Sequence, residues 1–216
     1  MTRQRSRVEE ATAPEEQAAQ AAAAVAERHS GVESAALSAS LEQLAVGGVK
    51  GLTIEGVAAR TGIAKTTLYR RWRSKEDLAL AVLLDMARMA TSAPAGPDVR
   101  AGLVGYLQAV VTILRDTLMG QVMQGLASDL ATDPEMARAF REEVVALRQE
   151  HLASLIRHGV DDGQLRGDVD LALLQELLFG PVYYRLLFSG QPLEDDLAER
   201  IVDAVLPAIL AEPRQP

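Results

Sequence analysis

Apolar residues recur three and four apart along nearly the whole chain, and runs that alternate apolar with polar residues are almost absent. The pattern predicts an all-α protein of about nine helices. The first runs over roughly 32–46, with Val32, Ala36, Leu41, Leu44 and Ala45 available for packing and Gly47-Gly48 ending it. Thr53 is placed to cap a short helix that stops near Thr61-Gly62, and a second short helix spans about 64–72. Ser74-Lys75-Glu76-Asp77 has the form of a capping box with Asp in the third position, opening a helix to about 89. The run Ala93-Pro94-Ala95-Gly96-Pro97 breaks the chain. Five helices follow, over roughly 98–115, 118–131, 134–161, 170–189 and 194–210, with Asp133-Pro134 and Asp170 as starts and Asp161-Asp162-Gly163 as a stop. Residues 1–30, first Arg-rich and then rich in Ala, Glu and Gln, have little to bury and read as a flexible arm.

The two short helices divide their faces by chemistry. Ile54, Val57 and Ala58 fall on one side of the first, and Leu68 and Trp72 share one side of the second. Gly62 sits in the turn between them, where positive φ or close helix contact calls for glycine. Lys65, Thr66, Tyr69 and Arg70 then lie mostly opposite Leu68 and Trp72, as in a recognition helix packed on one side and offered to the major groove on the other. Arginine and lysine donate to guanine edges or phosphates, threonine reaches either, and a tyrosine hydroxyl reaches phosphate. Lys75, at a helix start, is suited to a phosphate.

Charge supports that reading once its distribution is followed. The net charge is −8, which by itself disfavours nucleic acid. From Lys50 to Lys75, however, seven basic residues face one acid, Glu55, a net of +6, so the other 190 residues carry −14. A basic patch on an acidic body confines phosphate binding to one end. A solvated helical hairpin with incidental bases is the alternative on spacing and charge alone.

The segment from about Gly48 to Val82 resembles the N-terminal domain of TetR-type transcriptional regulators. The residues that carry the resemblance are Gly51-Leu52-Thr53-Ile54, Val57-Ala58, Gly62-Ile63, Thr67-Leu68-Tyr69-Arg70 and Ser74-Lys75-Glu76-Asp77-Leu78. It implies base contacts near Lys65, Thr66, Thr67 and Arg70, phosphate contacts from Thr53, Tyr69 and Lys75, and either role for Arg71. Two departures bear on packing: Leu44-Ala45-Val46 stands where the first helix usually ends in a large aromatic, and Trp72 stands where phenylalanine is common. The organisation expected is an arm (1–30), a three-helix helix-turn-helix domain (31–75) and a helical effector-binding and dimerisation bundle (76–216).

In the bundle, the helix through GDVDLALLQELLFGPVYYRLLFSG is apolar on nearly all sides and must be covered. Leu174, Leu178 and Val182 of that helix, with Leu197, Ile201, Val205 and Ile209 of the last, form stripes that either complete a monomer core or pair with a second chain as a four-helix interface. The run GPVYYRLL followed by Gly190-Gln191-Pro192-Leu193 is similar to the C-terminal domain of a TetR-type subgroup, which implies a homodimer and a palindromic DNA operator. Pro181, inside the helix, loosens it at a pocket or at the interface. Family resemblance also implies a small effector; Met86, Met89, Tyr106, Val110, Met123, Phe140 and Val144, with Leu107, Met119 and Leu126, are either its apolar lining or plain core.

Other chemistry finds little footing. No cysteine is present, so disulfides and thiolate sites are excluded. His151 and His158 are seven apart rather than at the i, i+4 spacing typical of helical metal sites, so no metal or cofactor is expected. No G-x-S-x-G, P-loop or H-E-x-x-H pattern supports catalysis. No apolar run is read as approaching the ~18 residues of a membrane span, and no secretory signal is read at the N-terminus, which assigns the protein to the cytoplasm. The reading is a homodimeric, ligand-responsive repressor; a helical carrier that sequesters a small molecule without reading DNA is the alternative.

Overall fold

The computed structural model describes residues 31–92 and 98–211. The expected arm, residues 1–30, lies outside the described residues. Among those described the chain forms nine helices and no strand, apart from one isolated antiparallel bridge between Leu165 and Leu210. In order these are α1 (Gly31–Gly51), α2 (Ile54–Thr61), α3 (Lys65–Arg71), α4 (Lys75–Thr91), α5 (Val99–Asp116) and α6 (Met119–Thr132). Helix α7 opens as Pro134–Ala139, widens to a π-helix over Phe140–Val145 and resumes as Ala146–Asp161. Helix α8 is Leu171–Tyr184 followed by a π-helical turn, Arg185–Ser189, and α9 is Leu197–Val205 followed by a 3-10 turn, Leu206–Ala208.

The caps follow the sequence signals. Asp133 accepts from the amides of Glu135 and Met136, and Asp170 from those of Ala172 and Leu173. Ser74 Oγ accepts from Asp77 N at 3.1 Å, as a capping box requires; the Asp77 carboxylate reaches back to Arg73 N, one residue beyond the cap itself.

Helix α1 departs from expectation. It does not stop at Gly47-Gly48 but kinks at Gly48 (φ 60°, ψ −163°) and runs on to Gly51. The kink has two causes. Only glycine adopts that φ without strain, and a β-carbon there would lie 2.8 Å from Asp129 Oδ2. That same carboxylate accepts from Val49 N at 2.8 Å, satisfying a helix amide freed by the kink across 80 residues of sequence.

Contacts divide the chain into two compact units, neither continuous in sequence. Among the described residues, one takes 31–85 with Leu114–Arg138; the other takes 86–92 and 98–113 with 139–211. In the first, α1 packs along α6 and against α2, and α2 against α3. Leu37, Leu41, Leu44, Leu52, Val57, Leu68 and Leu78 are buried there; Leu44 packs where the family's aromatic is absent, while Val46 is 91% exposed. In the second, α8 packs on both α7 and α9 around Tyr106, Leu107, Leu152, Leu178 and Val182.

Leu171–Ser189 corrects one expectation: among the described residues this is a helix long and apolar enough, by length and composition, to cross a membrane. It also carries Glu176 and Arg185, and Arg185 is engaged outside the helix, donating to Pro192 O at 2.6 Å.

Candidate nucleic-acid interface

The interface is built from α2 and α3, each fixed by local chemistry. Thr53 is extended (φ −140°, ψ 139°), its Oγ1 accepts from Gly56 N at 3.0 Å, and its own amide donates to Gln43 Oε1 of α1. The hydroxyl proton of Thr53 is left to donate outward. Gly62 closes α2 at φ 72°, with its amide on Ala58 O. Nothing lies within 4 Å of where its β-carbon would stand, so of the two reasons for glycine it is backbone conformation, not crowding, that applies.

The inward face is Ile54 and Val57 on α2, then Leu68 on α3 and Trp72 just past it, all buried. Lys65, Thr66, Tyr69, Arg70 and Arg71 are exposed, as is Thr53; Thr67 and Lys75 are half-buried. The structure therefore gathers all eight sequence candidates in one unit, with six of them open to solvent.

Their electrostatic ties differ. Arg70 has no ion-pair partner among the described residues. Arg71 pairs with Glu33 of α1 and lies over the Trp72 ring at 5.7 Å, so its charge is held against its own domain. Lys75 Nζ donates to Lys50 O at 3.4 Å, at the C-terminal end of α1. Lys65 pairs with Glu55 at 3.4 Å. The Glu55 carboxyl is held below the usual carboxylate range by its own backbone hydrogen bond, opposed by burial and helped by Lys65 and Tyr69. Glu55 was missed as a site residue by sequence reasoning; its spacing from Lys65 crosses the turn, so helical periodicity does not reveal the contact. The free cationic group most available to a guanine edge is thus Arg70, two donors in a planar fork.

The effector candidates scatter. Met86, Tyr106, Val110 and Val144 are buried, and Met89 and Phe140 half-buried, in the second unit; Met123, half-buried, belongs to the first. So do Met119 and Leu126. A cavity of about 200 Å³ in the second unit is lined instead by Ile156, Arg157, Val160, Val169 and Leu171, none of them a candidate.

The interface candidates lie mostly inside the chain. Leu174, Leu178, Val182, Leu197, Ile201 and Ile209 are buried within the chain itself, the monomer-core alternative, and Val205 is half-buried. An all-round apolar helix gives no sequence signal for which stripe the chain covers. The stripe left open on α8 and its π-turn is Leu173, Leu177, Tyr184 and Phe188, exposed by 50, 46, 62 and 78%, with Pro181 exposed on the same helix.

Comparison with known proteins identifies the family. Residues 36–82 match the family described as bacterial regulatory proteins, tetR family, and residues 93–205 match the tetracyclin repressor-like C-terminal domain. A solved structure of the TetR family transcription regulator SCO0332 is 35% identical, covering 82% of this chain and 98% of that one at a TM-score of 0.67. The uncharacterized HTH-type transcriptional regulator YdeS of Bacillus subtilis is 26% identical over 178 residues, 81% of this chain and 88% of that protein. The DNA-binding transcriptional repressor TetR of Mycobacteroides abscessus is 28% identical over 177 residues, 80% of this chain and 90% of that protein. With half the chain matched by one family domain and the helix-turn-helix by another, the chain belongs to the TetR family of DNA-binding transcriptional regulators.

Proposed function

We propose that the chain is a ligand-responsive repressor that binds a palindromic operator as a homodimer in the cytoplasm. Residues 31–75 read DNA, and 76–216 hold the effector and the partner chain. The observation that carries this reading is the division of α3: Leu68 is wholly buried while Lys65, Thr66, Tyr69 and Arg70 stand open beside it. One such helix covers few base pairs, and two set about 34–36 Å apart read two half-sites. The open stripe of Leu173, Leu177, Tyr184 and Phe188 is the surface assigned to the partner, because contiguous exposed apolar residues mark an interaction site. An effector that favours one separation of the two recognition helices would release the DNA.

The test is fluorescence anisotropy against DNA flanking the protein's own gene. Arg70→Ala is expected to lower affinity about 10- to 100-fold and to relax base preference at one position of each half-site. Lys75→Ala is expected to weaken all sequences alike and to make affinity less steeply salt-dependent, by about one unit in the log–log slope. A folded dimer that binds no flanking DNA at low salt would favour the sequestering carrier instead.

A further inference from the structure

The second unit holds a cation with no anionic partner. Arg148 of α7 donates from Nη1 to Tyr183 Oη at 2.6 Å, and its guanidinium stands 6.0 Å from the centre of the Phe179 ring. Its Nε is shut off from solvent and has no hydrogen-bond partner, and no carboxylate of the described residues pairs with it. Charged side chains withdrawn from water are normally paired, and buried polar atoms are almost always hydrogen-bonded.

Two more buried atoms of the same unit share that condition. Tyr106 of α5 is 1% exposed and its Oη has no partner, while its ring meets His151 edge-on at 4.5 Å and Phe179 at 5.4 Å. Burial raises the Tyr106 pKa, so the phenol stays a neutral donor. Gln175, one helical turn before Phe179 on α8, buries an Oε1 that accepts nothing. Arg148 and Tyr106 thus offer a guanidinium and a phenol donor beside the Phe179 ring, and Gln175 offers an amide acceptor one helical turn from Phe179 along α8.

That donor set has a chemical complement. A guanidinium fork and a phenol O–H bind the two oxygens of a carboxylate. The Gln175 carbonyl takes a hydroxyl or N–H next to it, and the flanking rings take a flat apolar body. We propose that the C-terminal unit binds an organic acid, an aryl carboxylate with an adjacent hydrogen-bond donor, with its carboxylate on Arg148 and Tyr106. This inference rests on the effector-binding reading and makes the effector amphipathic rather than simply apolar.

The experiment is thermal denaturation of the full chain at pH 7 with benzoate or salicylate, and with their neutral amides benzamide and salicylamide, each at roughly 10 mM. The carboxylates are expected to raise Tm by about 2 °C or more, salicylate most, and the amides to leave it unchanged. Arg148→Gln is expected to abolish the shift, while Arg141→Gln, an exposed arginine of the same helix, keeps it. If Arg148→Gln does not fold, Tyr106→Phe serves: calorimetry is expected to show salicylate binding weakened by about tenfold, a loss of one hydrogen bond to a charged group. No shift with either carboxylate, equal shifts with the amides, or a shift that survives Arg148→Gln overturns the proposal. Anisotropy with the flanking DNA is read separately. A ligand-free chain that binds no flanking DNA, with the carboxylate shift intact, sinks the repressor reading and leaves this site standing.

Discussion

In the first unit the helices that carry the interface are eight and seven residues long, and local instructions bracket the pair: Thr53 caps α2, Gly62 turns it off, and Ser74 opens α4 beyond α3. In the second, α7 and α8 are long, pass through π-helical stretches at Phe140–Val145 and Arg185–Ser189, and carry few internal stops. The contrast has a physical basis. A short helix is marginal alone, so its ends must be specified locally. A long apolar helix is held by what packs on it, so the choice of covered face is made by tertiary contacts. The same contrast appears in charge. The first unit pairs several of its cations, as in Arg60 with Glu42 and Arg71 with Glu33, and leaves Arg70 exposed without an ion pair; the second holds a half-buried Arg148 whose Nε is shut off from solvent and which has a phenol rather than a carboxylate for a partner.

The largest test of this contrast compares Leu178→Ala with Phe188→Ser. Leu178 is 1% exposed and Phe188 78% exposed on the same helical segment. Leu178→Ala is expected to cost about 2–5 kcal/mol in urea denaturation, independent of protein concentration, because it empties the chain's own core. Phe188→Ser is expected to leave the folded chain intact and to raise the dimer dissociation constant in sedimentation. If Leu178→Ala instead changed only the association state, the covered and open faces of α8 would be assigned the wrong way round.

Asp129 tests a link that local instruction does not supply. Its carboxylate serves Val49 N from the other end of the first unit's sequence. Asp129→Ala leaves a buried amide unsatisfied, at an expected cost of about 1–3 kcal/mol. Asp129→Asn keeps an acceptor and is expected to cost roughly half as much. Equal costs for the two would mean that the carboxylate's packing against Gly48, not its hydrogen bond, holds the kink.

These two residues also show where reading the sequence stops. Thr53, Gly62, Ser74, Asp133 and Asp170 were legible because each acts on amides within three residues, or on its own φ. The inward and outward faces of α3 were legible because Leu68 and Trp72 differ in kind from Lys65, Thr66 and Arg70. The α1 kink was not, because the acid that closes it lies 80 residues away and Gly47-Gly48 reads locally as an end. Leu174 and Leu173 differ by one position and not in type, yet the first is buried and the second half exposed. Arg148 was invisible for a similar reason: nothing in sequence marks an arginine whose neighbours are phenols rather than carboxylates.

The smallest effect concerns the one acid within the basic segment. Glu55 engages Lys65 and Tyr69, two of the residues assigned to DNA, and it stands in the first turn of α2. Glu55→Gln removes a like charge from the phosphate-facing surface and frees the Lys65 ammonium, so DNA affinity is expected to rise about two- to threefold at low salt and to converge with wild type as salt screens the surface. Because the Glu55 pKa is lowered, the carboxylate is ionised at every pH above the ordinary carboxylate range, and only acidification through that range and below it would remove the charge. The gain is therefore expected to be the same at pH 6 and pH 8 when measured by anisotropy. A gain that appeared only at pH 8 would place a different titrating group in control of Lys65. An unchanged affinity at both pH values would mean that Lys65 already leaves Glu55 for DNA at no cost, and that the acid sits outside the path of the phosphates.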